Sequence, residues 1–296
     1  MRSRHSYPVG KDTDKQVCRC HPAVGKWGHS SFSVSPDDEE NENEECPHFS
    51  PWGFTLIELL VVIAVISVLL AIMLPTLRRV RVFGYRTGCA SQLRQIAFAW
   101  HTYLASNDQQ FLQAVNANHY FGGWSGMIGG PAARPLNRYA GLPAEPNGPN
   151  QARLFRCPAD QGDDDYGPVA YLCFGNSYQT NLMLIGPDSL PSFQGMPERM
   201  RELNGRINEH LPNLKANAVC DPARLLLVGD NNWVTQWDPL IPVAGRTWHG
   251  KKEHHNLAFF DGHTALVNIH KGLYLDSDYR VQPFRELDSV AGGVLN

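Results

Sequence analysis

Residues 50–81 read SPWGFTLIELLVVIAVISVLLAIMLPTLRRVR. Of the 21 residues from Phe54 to Leu74, only Thr55, Glu58 and Ser67 are not apolar. At 1.5 Å per residue this stretch spans a hydrocarbon core of about 30 Å. The apolar core of a secretory signal peptide is only about 7–15 residues, so the run is too long for one. It predicts a membrane-spanning helix. Glu58 is then the anomaly, because an ionisable group in lipid must find a partner and marks a functional position.

Beyond Pro75 the pattern becomes amphipathic. Leu77, Val80, Leu93, Ile96, Ala97, Trp100 and Leu104 recur at helical spacing, with Arg78, Arg79, Arg81, Arg86, Arg94 and Gln95 between them. Proline removes one backbone donor, which kinks a helix rather than necessarily ending it. Gly84 and Gly88 weaken the middle. The spacing predicts helix over about 54–104, its first half (54–74) in lipid and its second packed on a globular head.

The flanks differ in character. Residues 1–53 hold the acidic block PDDEENENEE and show no periodicity, which reads as a disordered or processed leader. Residues 105–296 form the head. Its short apolar runs (Ala170–Phe174, Leu225–Val228, Leu257–Phe260, Thr264–Ile269) are separated by Gly, Pro, Asn and Asp, as in strands joined by loops. A polar helix is predicted between Glu198 and Leu214. Asp261-Gly262, between two strand-like runs, predicts a two-residue hairpin turn with positive φ at both residues, near 255–270. The predicted fold is α+β: one long helix on a loop-rich antiparallel sheet.

Composition narrows the function. A formal net charge of −3 leaves no basic nucleic-acid footprint. There is no G-x-S-x-G and no Walker loop, and Gly122–Gly130 (GGWSGMIGG) lacks the strand-then-helix context of a nucleotide loop, reading instead as a flexible connection. The expectation is a protein that is not an enzyme.

The junction Gly53-Phe54-Thr55-Leu56-Ile57-Glu58 resembles the prepilin-type cleavage and methylation signal of type IV pilins and type II secretion pseudopilins. The resemblance implies that a prepilin peptidase cuts between Gly53 and Phe54 and methylates the new Phe54 amine. Glu58 becomes the fifth mature residue, an assembly residue that pairs with the Phe54 amine of a neighbouring subunit. Pro75 falls where many pilins carry a proline. The implied topology is a single inner-membrane pass, N-terminus cytoplasmic and head periplasmic. By contrast, Arg78, Arg79 and Arg81 on the C-terminal side of the span favour the opposite orientation by charge alone. Implied partners are the peptidase, sibling pseudopilins and the inner-membrane assembly platform.

In the head, HHNLAFFDGHTALV resembles the C-terminal motif of a pseudopilin-like subgroup, a histidine and nine residues before Asp-Gly. Ten positions before Asp261 stands Lys251, with His249, His254 and His255 nearby. LFRCPAD (Leu154–Asp160), NSYQTN (Asn176–Asn181) and LLVGDNN (Leu226–Asn232) also look like parts of such heads.

Three further groups carry candidate chemistry. Asp160, Asp163, Asp164 and Asp165 offer hard oxygen ligands, making calcium the one cofactor suggested, beside the plainer reading of an acidic solvated loop. His249, His254, His255 and His263 offer imidazoles to a transition metal, beside the plainer reading of a solvent-facing hairpin. Of the seven cysteines, Cys89, Cys157, Cys173 and Cys220 follow the span; Cys157 with Cys173 is the preferred disulfide, and the reduced state is equally compatible. Cys18, Cys20, His21, Cys46 and His48 fit no standard zinc-finger spacing.

Two functions follow. One is a prepilin-like structural subunit of a type II secretion pseudopilus or related filament. The other is a membrane-anchored periplasmic enzyme, or metal- or ligand-binding protein, using the His/Asp cluster at 249–263.

Overall fold

The computed structural model describes residues 55–112, 119–128, 134–162, 169–186, 198–237 and 248–291. The chain divides into two units, Met1–Thr55 and Leu56–Asn296, and the described residues after Thr55 belong to the second.

Helix α1 (Leu56–Ser106) runs 51 residues and continues through Pro75. Its two halves meet different surroundings. From Leu56 to Leu74 the large apolar side chains are exposed, Leu56 at 82% and Leu74 at 60%. From Cys89 onward one stripe (Cys89, Leu93, Ile96, Ala97, Trp100, Leu104) is buried against the head. The steps of four, three, one, three and four residues place the stripe on one helix face. Leu77 and Val80, expected in this stripe, are exposed instead, at 53% and 66%. They lie at least two turns before the first head contact made by the stripe, so helical spacing alone did not mark where packing begins.

The head presents one four-stranded antiparallel sheet in the order β1 (Tyr178–Thr180), β2 (Leu226–Asp230), β3 (His254–Phe259), β4 (Thr264–Asn268). Its register pairs Tyr178 with Asp230, Gly229 with Leu257 and Leu257 with Ala265. Helix α1 packs across β2, β3 and β4. The expected α+β arrangement is therefore present. All five residues of β2 are buried, as befits an interior strand that carries helix on one face and loops on the other. A Cβ on Gly229 would come within 2.1 Å of the Leu257 side chain, so β2 needs glycine at that point.

Three local expectations change. Ala170–Phe174 is a helical turn, α2, not a strand. The Asp160 carboxylate accepts from Ala170 N (3.0 Å) and Tyr171 N (2.8 Å) at its start, and Gly175 closes its end at φ +80°. A five-residue apolar run has no period long enough to separate the two states. The strand β1, by contrast, lies in NSYQTN, where polar residues hide it. The β3–β4 turn has three residues, not two: Phe259 N donates to His263 O, Gly262 N donates to Phe259 O, and of Asp261 and Gly262 only the glycine has positive φ. That is a type I turn followed by a left-handed glycine, the usual three-residue hairpin. The expected polar helix is present as α4 (Glu198–His210), with α3 (Leu182–Ile185), α5 (Trp233–Trp237) and α6 (Asp288–Ala291) as shorter pieces.

Aromatic contacts lock the end of α1 in place. Trp100 is fully buried and lies 5.8 Å from Tyr103, 6.1 Å from Phe121 and 6.4 Å from Phe111, centroid to centroid. Trp100→Ala is expected to destabilise the head by about 3–5 kcal/mol. Phe98→Ala, two residues away and 70% exposed, should change stability by less than about 0.5 kcal/mol. Denaturant titration of the detergent-solubilised chain separates the two.

Candidate functional site

The apolar half of α1 is the first candidate. Thr55 and Glu58 are exposed in the isolated chain and stand beside a surface of unburied Leu, Ile and Val. Such a surface requires lipid or neighbouring helices. The span has the length and composition of a membrane helix, and none of its apolar window is buried. Gly53 and Phe54 lie outside the described residues.

The second candidate is a polar cluster beneath α1. Asp230, the last residue of β2, is 2% exposed and receives three groups. His255 Nδ1 lies 2.7 Å from Oδ1, His249 Nε2 lies 3.0 Å from Oδ2, and Asn256 N donates to Oδ2 at 3.0 Å. The strand order brings this about, because β3 begins beside the end of β2. The same His249 Nε2 also sits 3.7 Å from Cys157 Sγ. The His249 backbone carbonyl accepts two bonds from the Arg86 guanidinium of α1, at 2.8 and 2.6 Å. Cys89, Cys157 and His249 place one sulfur, one sulfur and one ring nitrogen within 4.8 Å of one another.

Charge in this cluster follows from burial and contact. Burial pushes the Asp230 carboxyl up, but the His255 charge and the hydrogen bonds from His249 and His255 outweigh it and hold it below its usual value. Burial pushes His249 down, but its bonds to Asp230 and Cys89 lift it to about 10. For Cys89, burial raises the thiol, while hydrogen bonds from Cys157 and His249 bring it down to about 6. Burial, with Cys89 beside it, drives Cys157 well above the ordinary thiol value. These shifts favour the thiolate at Cys89, the thiol at Cys157 and the imidazolium at His249.

The other sequence candidates fall elsewhere. His254 bonds Lys252 O at 2.8 Å and His263 bonds Asp261 at 2.6 Å, so the four histidines do not converge. His249 and His255 meet through Asp230 only. Asp160 is occupied: its oxygens accept from Gly162 N, Ala170 N, Tyr171 N and Ser177 Oγ at 2.6–3.0 Å, tying the Cys157 loop to α2 and β1. Asp163, Asp164 and Asp165 lie outside the described residues. Among the described residues no disulfide joins Cys157 to Cys173, and Cys157 faces Cys89 and His249. In the stretch Gly122–Gly130, the Arg134 guanidinium donates to the carbonyls of Gly122 and Ser125, and Asn137 pins Gly123 from both sides. Sequence reasoning missed the meeting of Cys89, Cys157, Asp230 and His249. The one available signal was that each stands in or beside a segment already singled out.

Comparison with known proteins gives one family match, the prokaryotic N-terminal methylation motif, over residues 53–74. The match supports a prepilin-type protein, with a peptidase-processed N-terminus and assembly with other pilin-type subunits. It points to a structural, pilin-like subunit, and the motif with one apolar helix suits a single-pass inner-membrane anchor. No curated protein and no solved structure matches the chain.

Asp230→Ala should destabilise the head by about 3–5 kcal/mol, since it strands the buried His249 imidazole and the partly buried His255. His254→Ala, at the surface, should cost less than about 0.5 kcal/mol. Because the folded Asp230 value lies below the unfolded 3.8, its contribution is complete above pH 3.8 and drains as pH falls through the folded value. Stability measured across acid pH should therefore show a shallower decline below about pH 4 in the variant than in the wild type.

Proposed function

We propose that this chain is a prepilin-like structural subunit of a type II secretion pseudopilus or a related type IV filament, processed between Gly53 and Phe54. In this reading residues 1–53 are the leader, 54–104 the pilin-like helix with its membrane segment at 54–74, and 105–296 the periplasmic head. The observation that carries the reading is the hexapeptide Gly53–Glu58 at the start of an apolar half-helix that the head leaves uncovered. A simple anchor has no use for Glu58. Cleavage creates a free, methylated amine on Phe54, and a Glu58 carboxylate in the adjacent subunit neutralises it. A buried pair of this kind fixes register, because every displaced register leaves two charges unpaired in an apolar core.

The helix then has two successive environments. Before assembly its apolar half sits in the inner membrane; afterwards the same half packs against sibling helices. Pro75 sits where the apolar run ends, and bending there lets the filament core and the head take different directions. The assembly platform and the peptidase are the membrane partners of this cycle, and nucleic acid has no part in it.

Mass spectrometry of the mature N-terminus tests the reading. An N-methylated Phe54 is the expected result, and a chain still beginning at Met1 in cells with an active peptidase overturns it. Glu58→Ala should be cleaved normally yet fail to enter filaments, so its incorporation at wild-type levels removes the register role.

A further inference from the structure

We propose that Cys89, Cys157 and His249 form a metal site in the head, taking a thiophilic divalent cation of the zinc class. The site is separate from the processing signal and does not depend on the filament assignment.

Three observations carry it. First, the donors are fully sequestered, with Cys89, Cys157 and His249 exposed by 0, 1 and 1%. A cysteine–histidine pair meant to attack a substrate must present its sulfur; these atoms present none. Among the described residues they are also the one group of three or more ligand-type side chains whose donor atoms converge. Second, the spacing suits tetrahedral coordination. Bonds of about 2.3 Å to sulfur and about 2.0–2.1 Å to nitrogen at a tetrahedral angle set sulfur and nitrogen about 3.6 Å apart. The His249 Nε2 to Cys157 Sγ distance is 3.7 Å. Third, the surroundings are those of a held ligand set. Ala159 N donates to Cys157 Sγ at 3.4 Å, which favours the thiolate. Arg86 fixes the His249 carbonyl. Metal ligands are oriented by such outer partners.

The charges balance. Two thiolates neutralise a divalent cation, and Asp230 keeps its contact with His255 Nδ1 at 2.7 Å. Loading releases the thiol protons of the cysteines and the Nε2 proton of His249 to solvent, and leaves two thiolates and a neutral imidazole as ligands. Asp230 Oδ2, 3.0 Å from that nitrogen, then loses the hydrogen bond from Nε2 and keeps the one from Asn256 N. The ion would join α1, the loop after Leu154 and the segment before β3. Those three pieces are far apart in sequence, Cys157 and His249 alone being 92 positions apart.

The test uses the full-length chain in detergent, with Cys18, Cys20 and Cys46 replaced by serine so that upstream thiols do not contribute. Metal analysis of the protein after zinc reconstitution and desalting should give about one zinc per chain. Cobalt substitution should give a thiolate charge-transfer band and the intense visible bands of a tetrahedral ion. Cys89→Ser and Cys157→Ser should each abolish both signals, while Cys173→Ser and Cys220→Ser keep them. The wild-type cobalt spectrum decides the matter even where a ligand variant fails to fold. A Cys89–Cys157 disulfide in the purified chain, read as a mass lower by two hydrogens, overturns the proposal. So does a reduced chain whose thiols all titrate freely after zinc is offered.

Discussion

Everything in the described head hangs on one face of one helix. The stripe Cys89, Leu93, Ile96, Ala97, Trp100 and Leu104 removes apolar surface from water on a helix whose other half has nothing of its own to pack against. Burial of this kind is non-directional and grows with area, so it holds the head to the helix without dictating detail. Trp100 adds direction, since its neighbours Tyr103, Phe111 and Phe121 bring in the segment just after the helix. The sheet covers the stripe from β2, β3 and β4. The filament subunit proposed above would need this division, because a helix held at one end by its head leaves the other end uncovered.

The head itself is short of regular structure, and buried polar side chains supply the order that strands would otherwise give. Asp160 gathers four donors from three segments. Asn181 amide hydrogens reach the carbonyls of Leu226 and Val281, both at 2.7 Å, joining β1, β2 and the C-terminal segment. Arg134 is 5% exposed and donates to carbonyls of His119, Gly122, Ser125 and Phe174. Each of these groups would cost several kcal/mol if buried unpaired, so each admits few alternative loop arrangements. The abundance of Gly, Asn and Asp, which reads as loop in sequence, is in part the composition of this internal scaffold.

Legibility followed the range of the interaction involved. The long helix, the hairpin strands β3 and β4, and helix α4 are set by periodicity over many residues, and these were readable. The five-residue run at Ala170–Phe174 was misread because its helical state depends on Asp160, ten positions upstream of its first residue. The hairpin turn was one residue longer than its Asp-Gly pair suggested, because Phe260 joined the loop. Leu77 and Val80 continue the helical pattern but lie before the head begins. Of the chemistry, the N-terminal methylation motif at residues 53–74 was legible because it is one continuous segment. The cluster at Asp230 was not, since its members come from α1, a loop, a strand end and the approach to the next strand.

The sequence by itself determined the apolar span, the processing motif at its start and the α+β class of the head. These depend on runs of neighbouring residues, whose chemistry is the same wherever the chain later goes. Only the tertiary structure decided which of the four hairpin-region histidines is buried. It is His249, carried under α1 by the β2–β3 pairing and held there by Asp230 and Arg86, while His254 and His263 stay at the hairpin surface. A side chain's partners at this distance are set by strand order and helix packing, and no local pattern encodes them.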